Sequence, residues 1–446
     1  MRTIIVISLL CVATLSACSF NQEQTQHDTL LVWERDRDNN HCSVWLIEPE
    51  QQSSEKILAD ARTCNFAVAD IGGVPHLVYW EQLNEMIIYA INIRDRKLNI
   101  QQVITLNDME FSTLPQWDKE ENIYFGAIVD GVEQIVRVDQ GTKTPSSFIK
   151  QDNGFATEPI ISPDGRFFVY WTLDGPTSRT SQPYCITGCR SGYYHIYNIE
   201  KVEDISLIPF IRQIRDEQLA YHENAQWSPT GQFLAFQLDV RGAGGILIFD
   251  MNKTEIVADL KTDMVGDMKI VGWASDTELV YMAQHYFPET GYSLARPYIY
   301  SLDNKTAWEL FPDLPAKTEE DQPYIFYDFD LAMNDKHFVG VLPPPNSTDG
   351  KTASLFIANI DQSPPNVDMI SITDQIPGDV DQWSPFTNPT WSISGEWLAY
   401  YSEYLTADGI PQADLFIISR DGEMVPIDIG LKEVLSRVQY TWIQSE

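Results

Sequence analysis

The sequence predicts an all-β fold built from one repeated unit, and three observations support this prediction. The 446 residues include 12 Trp and 20 Tyr together with 24 Gly and 25 Pro, a composition typical of short strands joined by many turns. A strand, a turn closed by Gly and an aromatic strand recur along the chain. The recurrences lie about 53 residues apart, which fits a four-stranded blade with long loops. Together they predict a ring of blades, a β-propeller.

Three copies of the motif are clear, and they share one turn chemistry. They are residues 158–171, 225–236 and 388–400. In each copy the turn begins with Ser, followed by Pro or small polar residues. It ends at Gly, which can adopt the positive φ that the turn requires. These segments resemble the Trp-Ser-Pro-Asp-Gly repeat of TolB-like β-propellers, which also occurs in the propellers of prolyl oligopeptidases. The resemblance implies the propeller fold and says little about function.

Weaker copies fill the gaps between the clear ones, and a third strand recurs downstream of each. The anchors of all copies are Val68, Trp117, Ile161, Trp227, Trp273, Leu331, Trp391 and Trp442. Residues 30–33 and 44–47 look like second and third strands without a first, whereas 438–443 look like a first strand without successors. Joined, they would close the ring and remove its open edges. The sequence therefore favours eight blades, seven whole and one split, and seven blades stay possible because the Leu331 and Phe66–Asp70 copies are the weakest.

The N-terminal residues predict a lipoprotein signal. Ile4 to Ala13 form an apolar run that is too short to span a bilayer but has the length of a signal-peptide core. Leu15-Ser16-Ala17-Cys18 resembles the bacterial lipobox at all four positions, which implies lipid attachment to Cys18 and cleavage before it. Ser19 after the cysteine implies the outer membrane under the sorting rule of Gram-negative lipoproteins. We expect a signal peptide over 1–17, a lipidated flexible tether over 18–28 and one propeller domain over 29–446.

Four cysteines remain once Cys11 leaves with the signal and Cys18 takes the lipid. They are Cys42, Cys64, Cys185 and Cys189. In an oxidising compartment four thiols allow three pairings, and the short Gly-containing loop favours Cys185 with Cys189 and Cys42 with Cys64. A zinc site is the alternative, but no Cys-x-x-Cys element supports it.

Catalytic motifs are absent from the sequence. There is no Gly-x-Ser-x-Gly elbow, no His-Glu-x-x-His and no P-loop. Prolyl oligopeptidases follow their propeller with a hydrolase domain, but the repeats here continue to Trp442, so we expect the chain to lack that domain. Asp36, Asp38 and Asn40 have a calcium-loop spacing, but His41 replaces the glycine of the sharp turn and no glutamate closes the loop.

One enzymatic alternative comes from a second resemblance. Oligogalacturonate lyases share this propeller type and bind a divalent metal through histidines and a glutamine, and His222, Glu223 and Gln226 precede the strand of a clear repeat. The third ligand stays open, with His195, His285 and His337 as candidates by position. This alternative predicts one bound divalent ion near His222; otherwise we expect no cofactor.

The charge of the chain is strongly acidic and predicts where a ligand binds. The formal net charge is −34, which excludes nucleic acid and anionic lipid headgroups as direct partners. Glu158, Glu223, Asp328 and Asp381 each precede a first strand, or nearly so, and with His222 they could surround one mouth of the channel.

These observations together favour a non-catalytic, lipid-anchored protein of the cell envelope that binds a protein, peptide or glycan. We expect it to contact the membrane through its lipid alone, and to act as a monomer or as part of an envelope complex. A divalent-metal-dependent polysaccharide lyase is the alternative function.

Overall fold

The computed structural model describes most of the predicted propeller. The described residues are 27–35, 41–71, 74–80, 85–106, 109–150, 156–172, 193–214, 221–239, 245–261, 268–287, 292–311, 329–332, 337–342, 354–360, 366–371, 380–383, 387–406, 411–425 and 439–445. They form eight antiparallel sheets of four or five strands. The predicted β-propeller of four-stranded blades is confirmed.

One sheet joins the two ends of the chain, and we call it the closing blade. It contains β1 (His27–Arg35), β2 (Cys42–Glu48), β3 (Ser53–Ala61) and β34 (Gln439–Ser445). The last strand pairs antiparallel with the first, with Leu30 opposite Trp442 and Val32 opposite Tyr440. The split unit that the sequence predicted is confirmed.

Seven further sheets are built from consecutive strands, and we number them blades 1 to 7. Blade 1 contains β4 (Phe66–Ile71), β5 (Val74–Trp80), β6 (Glu85–Asn92) and β7 (Lys97–Thr105). Blade 2 contains β8 (Glu110–Phe111), β9 (Gln116–Trp117), β10 (Ile123–Val129), β11 (Val132–Val138) and β12 (Pro145–Ile149). Blade 3 contains β13 (Ala156–Ile161), β14 (Phe167–Thr172), β15 (Tyr193–Asn198) and β16 (Glu203–Ser206). Blade 4 contains β17 (Tyr221–Trp227), β18 (Phe233–Asp239), β19 (Gly245–Asp250) and β20 (Glu255–Lys261).

The remaining three blades follow the same order. Blade 5 contains β21 (Met268–Ser275), β22 (Glu278–Phe287), β23 (Tyr292–Ser301) and β24 (Thr306–Glu309). Blade 6 contains β25 (Phe329–Ala332), β26 (His337–Leu342), β27 (Ser354–Asn359) and β28 (Asn366–Ser371). Blade 7 contains β29 (Val380–Trp383), β30 (Thr387–Trp391), β31 (Trp397–Thr406), β32 (Pro411–Ser419) and β33 (Met424–Val425). A 3-10 turn (Pro49–Gln51) follows β2, and α1 (Ile208–Ile214) follows β16.

The first strand of each blade lies on the inside of the ring. First strands of neighbouring blades contact one another, as β17 does with β21 and β21 with β25. Second and third strands such as β14 and β19 are buried along their whole length, whereas fourth strands such as β7 and β16 are largely exposed at the rim. The first strands therefore surround a central channel.

Apolar side chains fill the seams between blades. One cluster in the described part of the chain lies between blades 3 and 4 and contains Trp227, Phe249 and Ile211 of α1. A separate cluster, which includes Leu30, Ala399 and Trp442, joins blade 7 to the closing blade. None of the helices in the described part of the chain is long and apolar enough to cross a membrane.

Candidate functional site

The two faces of the ring differ in the length of their connections. Because the strands of a blade are antiparallel, first-to-second and third-to-fourth connections emerge at one face, which we call the turn face. These connections contain two to six residues, from the pair between β4 and β5 to the stretch between β11 and β12. Second-to-third and fourth-to-first connections begin and end at the opposite face, the loop face, and those between β14 and β15 and between β26 and β27 contain 20 and 11 residues. Long loops on a rigid scaffold are the usual place for binding residues, so a binding site is expected at the loop face.

Three first strands carry the same irregularity near the loop face. In β13 two residues, Glu158 and Pro159, lie opposite one residue of β14, which is a β-bulge. The same two-against-one pairing occurs at equivalent positions of β17 and β30. The bulged pairs are Glu158-Pro159, Asn224-Ala225 and Asn388-Pro389, and the residues opposite them are Tyr170, Phe236 and Tyr400. Each bulge thus lies over a fully buried aromatic residue of the second strand.

The bulges change the direction of the first strands where they approach the channel mouth. Glu158 and Asn224 have positive φ values of 55° and 47°, and both side chains are exposed. A bulge re-aims the side chains around it and is common beside functional sites. Sequence reasoning selected Glu158 but missed its equivalents Asn224 and Asn388. The signal was present, because a polar residue precedes Pro or Ala at the same distance before each turn.

The other predicted channel-mouth residues are placed through their strands. His222 and Glu223 lie in the first half of β17, and their side chains lie outside the described part. Asp381 lies in the short strand β29, at a shift in its pairing with β31. Asp328 directly precedes β25 and lies outside the described residues. The fold therefore brings the backbone of these strand starts to one face, in blades 3, 4, 6 and 7, and the acidic ring remains a prediction.

Two of the predicted histidines, His195 and His337, are buried rather than exposed at the channel. His195 in β15 has its Nδ1 atom 3.2 Å from Asp204 Oδ2, and Tyr170 donates a hydrogen bond to the same oxygen at 3.0 Å. The ring of His337 packs 6.0 Å from that of Trp391. Over the residues that the structure describes, no three His, Cys, Asp or Glu side chains are grouped so that they could hold a metal ion. The side chain of His285 lies outside those residues.

The cysteine prediction is confirmed for one pair. Cys42 and Cys64 form a disulfide with a Cα–Cα distance of 5.3 Å, which joins the start of β2 to the segment before β4. Cys185 and Cys189 lie outside the described residues, as do Cys18 and the predicted calcium residues Asp36, Asp38 and Asn40.

Comparisons with known proteins extend the fold assignment. The sequence matches no protein-family model and no curated protein. Dipeptidyl peptidase 4 from Porphyromonas gingivalis aligns with 89% of this chain and 57% of its own, at 9% identity and a TM-score of 0.56. The prolyl endopeptidases of a structural and mechanistic study align with 84% of this chain and 49% of their own, at 10% identity and a TM-score of 0.50. TolB from Acinetobacter baumannii aligns over 78% and 77%, at 12% identity and a TM-score of 0.34.

The similarity covers the propeller and leaves much of the peptidases unmatched. This chain spans about half to three fifths of the length of the two peptidase structures. Both families that the repeat resembles are present among the matching structures. At such low identity the shared feature is the fold alone. The chain has the β-propeller fold found in the dipeptidyl-peptidase and prolyl-endopeptidase structures.

Proposed function

We propose that this chain is a lipid-anchored β-propeller of the bacterial cell envelope that binds a protein, peptide or glycan and catalyses no reaction. One observation carries the proposal: the long connections and the bulged first strands share the loop face, while β1 begins at the opposite face. A closed ring with one elaborated face suits recognition.

The same topology supports an orientation for the anchored protein. β1 is a second strand and begins at the turn face with His27. Nine residues, Cys18 to Gln26, would lie between the lipid and this strand, and they reach at most about 30 Å in any conformation. An anchor at Cys18 would hold the turn face near the membrane and present the loop face to the surroundings, with the outer membrane as the proposed location.

The anchor is tested at Cys18. Cys18→Ala should abolish incorporation of radiolabelled palmitate and leave a precursor that is not processed as a lipoprotein. Cys11→Ala is the matched control and should label normally, because Cys11 lies in the signal segment. Equal labelling of Cys18→Ala and wild type would contradict the anchor.

The binding face is tested with envelope extracts and the soluble form that begins at Ser19. We expect a partner that is cationic or bridged by a metal ion, because carboxylates at the channel mouth repel anions. Replacing Glu158 and Glu223 by Gln and Asp328 by Asn should weaken capture. Wild-type binding should also weaken with salt, since the screening length falls from about 10 Å at 0.1 M to about 3 Å at 1 M.

A matched triple variant separates the site from the loss of charge. Glu120, Glu255 and Asp421 are exposed carboxylates at the turn face. Their neutral amides change the net charge equally and should bind as wild type. If the channel-mouth triple variant, in which Glu158, Glu223 and Asp328 are replaced, captures the partner as wild type does, the channel-mouth site is refuted. A calorimetric titration with divalent ions tests the lyase alternative, which requires one site that is lost in His222→Ala.

A further inference from the structure

The outermost strand of blade 1 has an edge unlike that of any other described outer strand. The eight residues of β7 from Leu98 to Thr105 include no charged residue and no Pro. Ile100 and Val103 are 63% and 48% exposed, respectively. In the described part of the chain β7 pairs with β6 alone. Its second edge therefore presents backbone donors and acceptors beside exposed β-branched side chains.

The other outer strands show the protection that an exposed edge usually carries. Long edges are commonly interrupted by charges or proline, or kept short, because they otherwise pair with other chains. Charged residues lie inside β3, β16, β20 and β28, and β24 has only four residues, whereas the one charged residue of β7 is Lys97 at its first position. Strand β12 is uncharged but begins with Pro145 and has five residues, and β33 has two. The open edge of β7 is thus a specific feature of blade 1.

A bulge in β7 places its exposed apolar side chains on one side of the blade. Ile100 lies opposite Tyr89 and Val103 opposite Ile87, so Gln101 is the additional residue. Tyr89 and Ile87 both pack against the cluster between blade 1 and the closing blade. Side chains of opposed residues point to the same side of a sheet, so Ile100 and Val103 form one apolar stripe that faces the closing blade.

The beginning of β7 is cationic. Arg94, in the turn before it, and Lys97, its first residue, are exposed and form no ion pair with any residue of the described ranges. Arg96 between them is paired with Glu48. Arg94 and Asn99 also line a cleft of about 530 Å³ whose apolar lining includes Val74 and Pro75. The cleft lining also contains Glu48, whose carboxylate is paired with Arg96. On a chain with a net charge of −34, Arg94 at the cleft and Lys97 at the start of the strand mark a place for an anionic group.

We propose that β7 binds the C-terminal segment of a partner as an added antiparallel strand. An antiparallel partner runs from Thr105 towards Lys97, so its last residue arrives at the cationic end. Its carboxylate would contact Arg94 or Lys97, its backbone would bond the open edge, and its alternate β-branched side chains would cover Ile100 and Val103. This surface lies on the rim and does not depend on the ligand proposed at the channel mouth.

The test uses a dye-labelled hexapeptide of alternating Thr and Val with a free carboxylate, together with its C-terminal amide. Fluorescence polarisation with the form that begins at Ser19 should show the free acid binding about tenfold more tightly, because a charged hydrogen bond is lost in the amide. Arg94→Gln should reduce that difference. Val103→Lys and Ile100→Lys should each weaken both peptides at least tenfold. Hydrogen exchange should show new protection in residues 98–105.

Control variants test whether peptide binding is specific to β7. Trp308 is 40% exposed on the outer strand of blade 5, and Trp308→Lys should bind both peptides as wild type does. The channel-mouth triple variant should also bind them normally. Absence of binding to wild type at millimolar peptide, or unchanged binding by Val103→Lys, would overturn the proposal. A wild-type dimer that Val103→Lys converts to monomer would overturn it too, because a second copy would then occupy the edge.

Discussion

The tryptophan of the repeat makes one specific contact in addition to filling the core. Its indole Nε1 donates a hydrogen bond to a backbone carbonyl of the preceding blade. Trp227 bonds Ile160 at 2.9 Å, Trp273 bonds Gln226 at 3.2 Å and Trp442 bonds Thr390 at 2.9 Å. All three acceptors hold the same position in their repeats, directly before the residue that aligns with tryptophan. Each of these indoles therefore fixes its blade against the neighbouring one.

Trp227→Phe tests this bond. The substitution keeps an aromatic ring and leaves the Ile160 carbonyl without its donor, which should lower the free energy of unfolding by about 1 to 3 kcal/mol. The melting temperature is the measurement. Trp308→Phe is the control, because Trp308 is exposed at the rim and should have little effect. Equal melting temperatures for wild type and Trp227→Phe would contradict the role of the bond.

Asp164 stabilises the turn of blade 3 through its charge. Partial burial alone would raise the pKa of its carboxyl, but hydrogen bonds from the Ser162 hydroxyl and from the Arg166 amide and guanidinium outweigh burial and hold the pKa below its usual value. A carboxyl whose pKa is lower in the folded state contributes stability above its unfolded pKa of about 3.9. That contribution is lost as the pH falls through the lowered, folded pKa.

Asp164→Asn should therefore destabilise the protein at neutral pH by about 1 to 2 kcal/mol, because it removes the charge from these hydrogen bonds. The difference in free energy of unfolding between the variant and wild type should shrink once the pH falls below about 4. Denaturant unfolding between pH 2.5 and 7 measures it. Asp421→Asn, at an exposed turn of blade 7, is the control and should change the free energy of unfolding little at pH 7. A constant difference across this range would contradict the assignment.

At the scale of elements, the repeated turn is a compact unit that also contacts the previous blade. In blade 4 Ser228 N bonds Phe233 O, Gly231 N bonds Ser228 O, and the Ser228 hydroxyl accepts from Phe233 N. Blades 3 and 7 repeat these three bonds. Gly231 packs on Asp164 of the preceding turn, and Gly165 packs on Lys119 of the turn before that. Glycine is thus required for its positive φ and for its lack of a side chain.

Two glycine variants separate these requirements. Gly165 has a φ of +67°, and a Cβ there would lie 2.8 Å from the Lys119 backbone nitrogen. Gly131 has a φ of +78° with nothing within 4 Å of the added atom. Gly131→Ala should lower the free energy of unfolding by about 1 to 2 kcal/mol, because alanine is strained at this positive φ. Gly165→Ala should lower it clearly more, because its Cβ would also meet Lys119. Melting temperatures compare them; equal losses would show that the contact between the turns is unimportant.

At the scale of the molecule, ring closure distributes stability over every blade. Within the closing blade, β1 and β34 pair through backbone hydrogen bonds. Apolar side chains join this blade to blade 7. Ser394 of blade 7 donates to the Asp28 carboxylate, and Trp442 donates to Thr390. Opening this seam would expose two apolar blade surfaces and the edge of β1.

Removing residues 438–446 should therefore cause far more than the loss of a tail. We expect a large fall in melting temperature, loss of a single cooperative transition in calorimetry, and aggregation through the exposed edge. Removing Glu446 alone leaves β34 intact and should have no effect. A shortened protein that melts as wild type does would refute closure by the two termini.

The blades follow from local sequence. Each strand and turn carries its own pattern of aromatic residues, Ser and Gly within about a dozen positions, and the unpaired strands at the two ends predict their own union. The Cys42–Cys64 pair followed from compartment and spacing. The strands and turns were predictable because residues close together in the sequence specify them, and the disulfide was predictable from the number and spacing of the cysteines.

The candidate site was predicted only in part, because its geometry depends on relations between strands and blades. The sequence showed that Glu158 precedes a first strand, but the bulge that exposes it arises from its pairing over Tyr170, which only the register reveals. His195 looked available for a metal, yet it packs beside Asp204 within blade 3. The open edge of β7 and the indole bonds between blades were likewise decided by tertiary structure. A local pattern specifies a strand, whereas its neighbours determine which of its side chains and edges remain accessible.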